Sequence, residues 1–106
     1  VKRLEFLGDS LEQVRGFPEG ARKEAGVQLH KIQLGLEPSD WKPMTSVGTG
    51  VREIRIRDQD GAFRVIYVAH IASAVYVLHA FQKKTQQTAK RDLDLATSRL
   101  KQILEK

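Results

Sequence analysis

Residues 52–70 read REIRIRDQDGAFRVIYVAH. Two runs rich in β-branched residues flank DQDGA, which carries a turn signal, so the stretch is expected to fold as a β-hairpin. Side chains alternate across a strand. Ile54 and Ile56 therefore share one face of the first run, and Arg55 and Arg57 share the other. In the second run Phe63, Val65 and Tyr67 oppose Arg64, Ile66 and Val68. A register that sets the two isoleucines beside Phe63 and Val65 in a core gathers Arg55, Arg57 and Arg64 on the opposite face. A slip of one residue would scatter them.

Three strands are expected from this region: 51–57, 63–70 and AVYVLHAFQK at 74–83, with the last turn around Ile71 to Ser73. The short links make them an antiparallel meander. A turn near Ala72 and Ser73 puts Arg64 opposite Phe81, and His79, Phe81 and Lys83 then join the arginine face. Upstream, RLEFLG reads as a short strand. DSLEQV, with Ser10 and Gln13 at capping-box spacing, opens a short helix that stops near Gly16 and Pro18. Ala21, Ala25, Leu29, Ile32 and Leu36 recur at helical spacing after Pro18. EPSDWKPMTSVGTG is rich in Pro, Gly, Ser and Thr and reads as a loop. Ala89, Leu93, Ala96, Leu100 and Ile103 mark a closing helix. The expectation is an α+β fold in one domain over residues 1–106. It consists of an antiparallel four-stranded sheet, its first strand at an edge, with two N-terminal helices packed on one face and a C-terminal helix.

Composition fits a single folded unit: 106 residues, 41% hydrophobic and 29% charged. The chain has no cysteine, which excludes a disulfide framework and a thiolate metal site. There is no apolar run of membrane-spanning length and no signal-peptide core at VKRLEFLGDS, so a cytoplasmic location and no membrane partner are expected. The formal charge of +5 is concentrated. Residues 51–91 hold eight cations (Arg52, Arg55, Arg57, Arg64, Lys83, Lys84, Lys90, Arg91) against three acids, whereas the segments on either side each cancel. FQKKTQQTAKR, residues 81–91, has four cations and no acid. Such an excess is the footprint of a phosphate-binding surface, or alternatively of a solubilising face.

The cations suit one chemistry. RNA is cut without a metal when a base takes the 2′-hydroxyl proton, cations stabilise the charge on the phosphorane, and an acid protonates the leaving 5′-oxygen. Guanidinium groups fit the middle task because they stay charged and grip phosphate oxygens in a fork. Arg64, set among Ile66 and Val68, is the leading candidate, since burying it needs an anion or a partner carboxylate such as Glu53. Lys83 and Lys84 would bind phosphate or, if desolvated, move a proton. His79 is either a proton-transfer group or a hydrogen-bonded core histidine. Tyr67 and Tyr76 are expected in the core, and Trp41 and Phe81 either stack on bases or pack. His30, His70 and His79 lack metal-ligand spacing, GTG lacks the pattern of a phosphate-cradling loop, and Ser73 has no nucleophile context. No metal or cofactor is expected.

REIRIRDQDGAFRVIYVAH followed by VLHAFQKKTQQTAKRDLDLATSRLKQIL resembles the RelE/ParE toxin superfamily, in its phage-derived Gp49-like (HigB-like) branch. The likeness covers residues 41–104 by motif and the first 40 residues by layout. It implies a toxin of a type II toxin–antitoxin pair, an mRNA endonuclease that acts on the ribosome and inhibits translation. It also implies neutralisation by a cognate antitoxin, often of helix-turn-helix type, in a hetero-oligomer. Arg55 and Arg64 match basic positions of the cleft, and Lys83 or Lys84 matches the basic residue after the last strand. Arg64, Arg55, Lys83 and His79 are the catalytic candidates, and Arg57, Lys84, Arg52, Lys90 and Arg91 the RNA-binding ones. Ala80, Gln87 and Ala89 depart from the usual glycine, lysine and proline. The competing readings are a gyrase-targeting ParE-like toxin and a catalytically silent basic binding module.

Overall fold

Phe63 to Val68 form an unbroken run of buried residues, which requires a strand covered on both sides. The computed structural model of the chain, which describes residues 1–105, places that run at the centre of a sheet. The elements in chain order are β1 (Arg3–Phe6), α1 (Ser10–Arg15), α2 (Glu19–Gln33), β2 (Trp41–Pro43), β3 (Arg52–Asp58), β4 (Gly61–Ile71), β5 (Ala74–Lys83) and α3 (Lys90–Leu104). The strand order is β1-β5-β4-β3-β2.

The expected meander is present, with Ile54 beside Val65, Ile56 beside Phe63, Arg55 beside Arg64, and Arg64 beside Phe81. Ala72 and Ser73 close the second hairpin, each with φ of +53°. Positive φ at both central positions matches the right-handed twist of the strands it joins, and it lets two non-glycine residues occupy the left-handed region.

The sheet differs from expectation in two ways. It has five strands and is mixed, because β1 pairs parallel with β5 at one edge while Trp41–Pro43 adds a strand at the other. The loop reading missed β2 because three residues ending in proline give no alternation to read. β1 and β5 run in the same direction, with Arg3 beside Ala74 through Phe6 beside Val77, and the connection between them is the long one that parallel pairing requires.

Two cores sandwich the sheet. One face packs Ile54, Ile56, Phe63, Val65, Val75 and Val77 against Val14 and Phe17 and against Ala21, Ala25, Leu29 and Ile32 of α2. The other face packs Ile66, Val68, Leu78 and Phe81 against Ala96, Leu100 and Ile103 of α3 and against Met44, Val47 and Val51. A register shift after Ile66 leaves Leu78 without a direct partner in β4. That bulge lets both Leu78 and His79 meet the α3 side.

Local details correct the helix ends. Asp9, not Ser10, precedes α1 as its cap. Ser10 is buried and donates its hydroxyl to the Val77 carbonyl at 3.2 Å, while the Gln13 amide donates to Asp9. Leu36 lies beyond α2 and is exposed, and Gln28 occupies the buried stripe instead, bonded to Glu24 and Ser39. Ala89 is the exposed cap position of α3, and Asp92 is the buried residue of its first turn. No helix among the described residues is long and apolar enough to cross a membrane.

Candidate functional site

The α3 side of the sheet has two ends. α3 covers the end that carries Ile66, Val68 and Leu78. At the other end, Arg55 and Arg57 stay exposed. With Asp40, Ile56 and Arg64 they line a hollow of about 220 Å³. Strand parity put Arg55, Arg57 and Arg64 on one face, and the pairing of Arg55 with Arg64 places them there. Lys83 ends β5 beside Ala62, at the rim of the same surface.

Arg64 is nearly buried, at 7% exposure, and its Nη1 donates to the Phe63 carbonyl at 3.0 Å. Its Nε faces Oε1 of Glu53 at 3.5 Å, and neither of these two buried atoms has a hydrogen-bond partner. Burial, joined by the charges of Arg55 and Arg57, holds the Arg64 pKa below the usual guanidinium value, against the pull of Glu53 and Asp40. Lys83 is likewise shifted down by burial first and then by Arg64, with Glu53 opposing. Crowded cations of this kind favour an entering anion, because it relieves their mutual repulsion.

Glu53 is fully buried and anchors this end of the sheet. Lys42 Nζ lies 3.8 Å from Oε1, and the Thr88 hydroxyl donates to Oε2 at 3.1 Å. β2 delivers Lys42 because it pairs with Glu53 across the strands. Lys42 and Thr88 were not singled out from the sequence. The parity argument that found Arg55 would have found Lys42 had β2 been recognised. Asp40 was missed as well. Its carboxylate pairs with Arg55 at 2.7 Å, so the hollow is not purely basic.

Other candidates fall outside the hollow. Arg52 has the parity of Ile54 and Ile56, so it points to the opposite face. There its guanidinium lies 3.9 Å from the Trp41 ring centroid and pairs with Glu37 at 2.6 Å. It lines a separate concavity of about 400 Å³ with Lys2, Tyr67 and His70. Trp41 is thus engaged by a cation, as a packing anchor would be. Lys90 pairs with Asp94 at 2.9 Å, while Lys84 and Arg91 are exposed beyond the hollow's lining.

His79 is a hydrogen-bonded core histidine. It is 5% exposed, stacks on Phe81 at 5.2 Å between centroids, and has Nε2 2.7 Å from Asp92. Arg99 Nη1 approaches Nδ1 at 3.4 Å and also donates to the Leu78 carbonyl, and Arg99 Nη2 donates to Asp9 at 2.8 Å. A guanidinium only donates, so the imidazole accepts at Nδ1 and carries its proton on Nε2, toward Asp92. Gly8, at φ +54°, leaves the space that the Arg99 guanidinium fills.

Among known protein families, the profile of the phage-derived protein Gp49-like family (DUF891) matches residues 12–101. That span includes most of the N-terminal part, where only the layout of elements had pointed the same way. No curated protein matches the chain.

Proposed function

Because the chain belongs to the Gp49-like family, a family of RelE/HigB-like toxins, we propose that it is the toxin of a toxin–antitoxin pair and an mRNA endonuclease acting on the ribosome. In this reading the open end of the sheet holds the scissile phosphate. The 2′-oxygen attacks phosphorus and the bond to the 5′-oxygen breaks, leaving a 2′,3′-cyclic phosphate and a 5′-hydroxyl. Arg64 and Arg55 neutralise the charge that grows on the non-bridging oxygens, and Arg57 and Lys84 follow the backbone on either side. Lys83, with its pKa lowered, is the proton-transfer candidate. His79 supports the site by holding Phe81 behind Arg64, through their stacking and the pairing of Arg64 with Phe81. Arg52, Lys90 and Arg91 have no part at the scissile phosphate. A cognate antitoxin would silence the activity by covering this basic end.

The observation that carries the reading is the pairing of Arg55 with Arg64 on a part of the face that α3 leaves open. Two like charges directly opposite each other destabilise a sheet unless something binds them; Asp40 answers Arg55, but Arg64 only faces Glu53 without a hydrogen bond. Inducing the chain in cells and mapping message 5′ ends tests the reading. New ends inside coding regions that disappear when the neighbouring antitoxin is co-expressed are expected. Intact messages with ongoing translation contradict it, and damage signalling without cleavage would point to gyrase.

A further inference from the structure

Glu53 is out of place by ordinary rules. It is a carboxylate with no exposed surface, in the middle of a sheet, and one of its oxygens has no hydrogen-bond partner. Burying a charge in this way is costly unless it is matched, and a half-matched network is worse than an apolar one. Apolar residues in place of both Glu53 and Arg64 would serve the fold as well or better. What surrounds Glu53 indicates what it does instead. Three groups from three segments converge on it: Arg64 from β4, Lys42 from β2 and Thr88 from the segment before α3. Arg64 lines the hollow of the open end, Lys42 and Thr88 line the concavity beside it, and Thr88 closes a segment that begins with Lys83 and Lys84. With no exposed surface, Glu53 has no path to a substrate hydroxyl, so it neither gives nor takes a proton in the reaction.

We propose that Glu53 is the positioning residue of the basic hollow: from behind, it aims Arg64 at an incoming phosphate, and it ties β2 and the segment after β5 to that arginine through Lys42 and Thr88. The arrangement is asymmetric in a useful way. Arg64 Nη1 is held by the Phe63 carbonyl and Nε faces Glu53, so the remaining edge, Nη2, is the part left for the hollow that Arg64 lines. The guanidinium is thereby oriented before any substrate arrives. Glu53 also acts through space on Lys83. Arg64, Lys42 and Arg55 all disfavour the charged ammonium, and Glu53 is the carboxylate that opposes them.

The inference rests on the nuclease reading for its kinetic part only. Two variants separate charge from shape. Glu53→Gln keeps the shape and removes the charge, and Glu53→Asp keeps the charge and draws it back by one methylene. In the glutamine variant Lys83 should titrate at lower pH than in wild type, read by NMR of the labelled lysine side chain in the full chain. In the aspartate variant the titration should stay near wild type. Both should lose kcat for message cleavage, by about 100-fold for a guanidinium displaced by roughly an ångström, with KM changed far less. Thr88→Val, which removes only the tie to the segment, should lose less kcat and leave Lys83 unmoved. If Glu53→Gln does not fold, the aspartate and valine variants decide. Full kcat in Glu53→Asp overturns the proposal, as does an unshifted Lys83 in a folded Glu53→Gln. If wild type cuts no message, the functional reading fails, while the lysine titration still tests the charge coupling.

Discussion

Two buried charge clusters lie on the same side of the sheet, and they are built to different standards. In the cluster under α3, His79, Asp92 and Arg99 are joined at 2.7 and 3.4 Å, and Arg99 continues to Asp9 and the Leu78 carbonyl. None of their side-chain atoms is a buried orphan. In the cluster at the open end, Glu53 and Arg64 stand 3.5 Å apart and leave one orphan atom each. Satisfied polar networks fix a fold, whereas unsatisfied ones persist where something other than stability is being served. On the proposed reading, the difference separates the cluster that holds the protein together from the one that would receive the phosphate.

Substitutions sharpen this contrast, and the largest effect should be on activity. Arg64→Met should lower message cleavage by about 100- to 1000-fold, the usual effect of removing one donor to a developing charge. Primer extension on induced messages reads it, and unchanged cleavage would remove Arg64 from the site. Pairing that change with Glu53→Leu should leave stability unchanged or raise it by about 1–4 kcal/mol while activity stays lost. Denaturant unfolding reads this, and a large destabilisation would mean that the open-end pair is structural after all. The opposite holds under α3. Asp92→Ala should cost about 2 kcal/mol of stability, since it strands a buried imidazole donor.

The pH dependence separates the two clusters more finely. The Lys83 pKa is lowered by burial and by Arg64, so its ammonium loses its proton at lower pH than an ordinary lysine. The change in activity tied to Lys83 should therefore appear below the ordinary lysine range, and Lys83→Arg should abolish it. At the α3 end the Arg99 guanidinium holds the Asp9 carboxyl below its usual value. The sign follows from that direction. The contribution is complete above the unfolded carboxylate pKa and disappears as the pH falls through the lower folded value. Asp9 is about half exposed, so solvent screens the pair, and Asp9→Asn should cost less than about 1 kcal/mol near neutrality. Equal losses at neutral and acid pH would contradict this.

Much of this was legible in the sequence because alternation is a strong constraint. Arg55, Arg57 and Arg64 could be sorted to one face from parity, and the turn at Ala72 and Ser73 then fixed Phe81 opposite Arg64. The same parity excludes Arg52, which had been grouped with them on charge alone; its partners are Trp41 and Glu37 on the opposite face. What parity could not reveal is how far α3 reaches along the sheet. That single placement buries His79 and Phe81 and leaves Arg55 and Arg57 open. Nor could it reveal β2, whose three residues bring Lys42 beside Glu53. Glu53 itself was visible only as a possible partner for Arg64, because a buried carboxylate and an exposed one look alike in sequence.

The most direct test uses ribosomes programmed with a message carrying either ribose or 2′-deoxyribose at the cleaved nucleotide. The account predicts that wild-type protein cuts only the ribose form and leaves a 2′,3′-cyclic phosphate, and that Arg64→Met cuts the ribose form about 100- to 1000-fold more slowly. Equal cleavage of the deoxy message, or full activity in Arg64→Met, would contradict it.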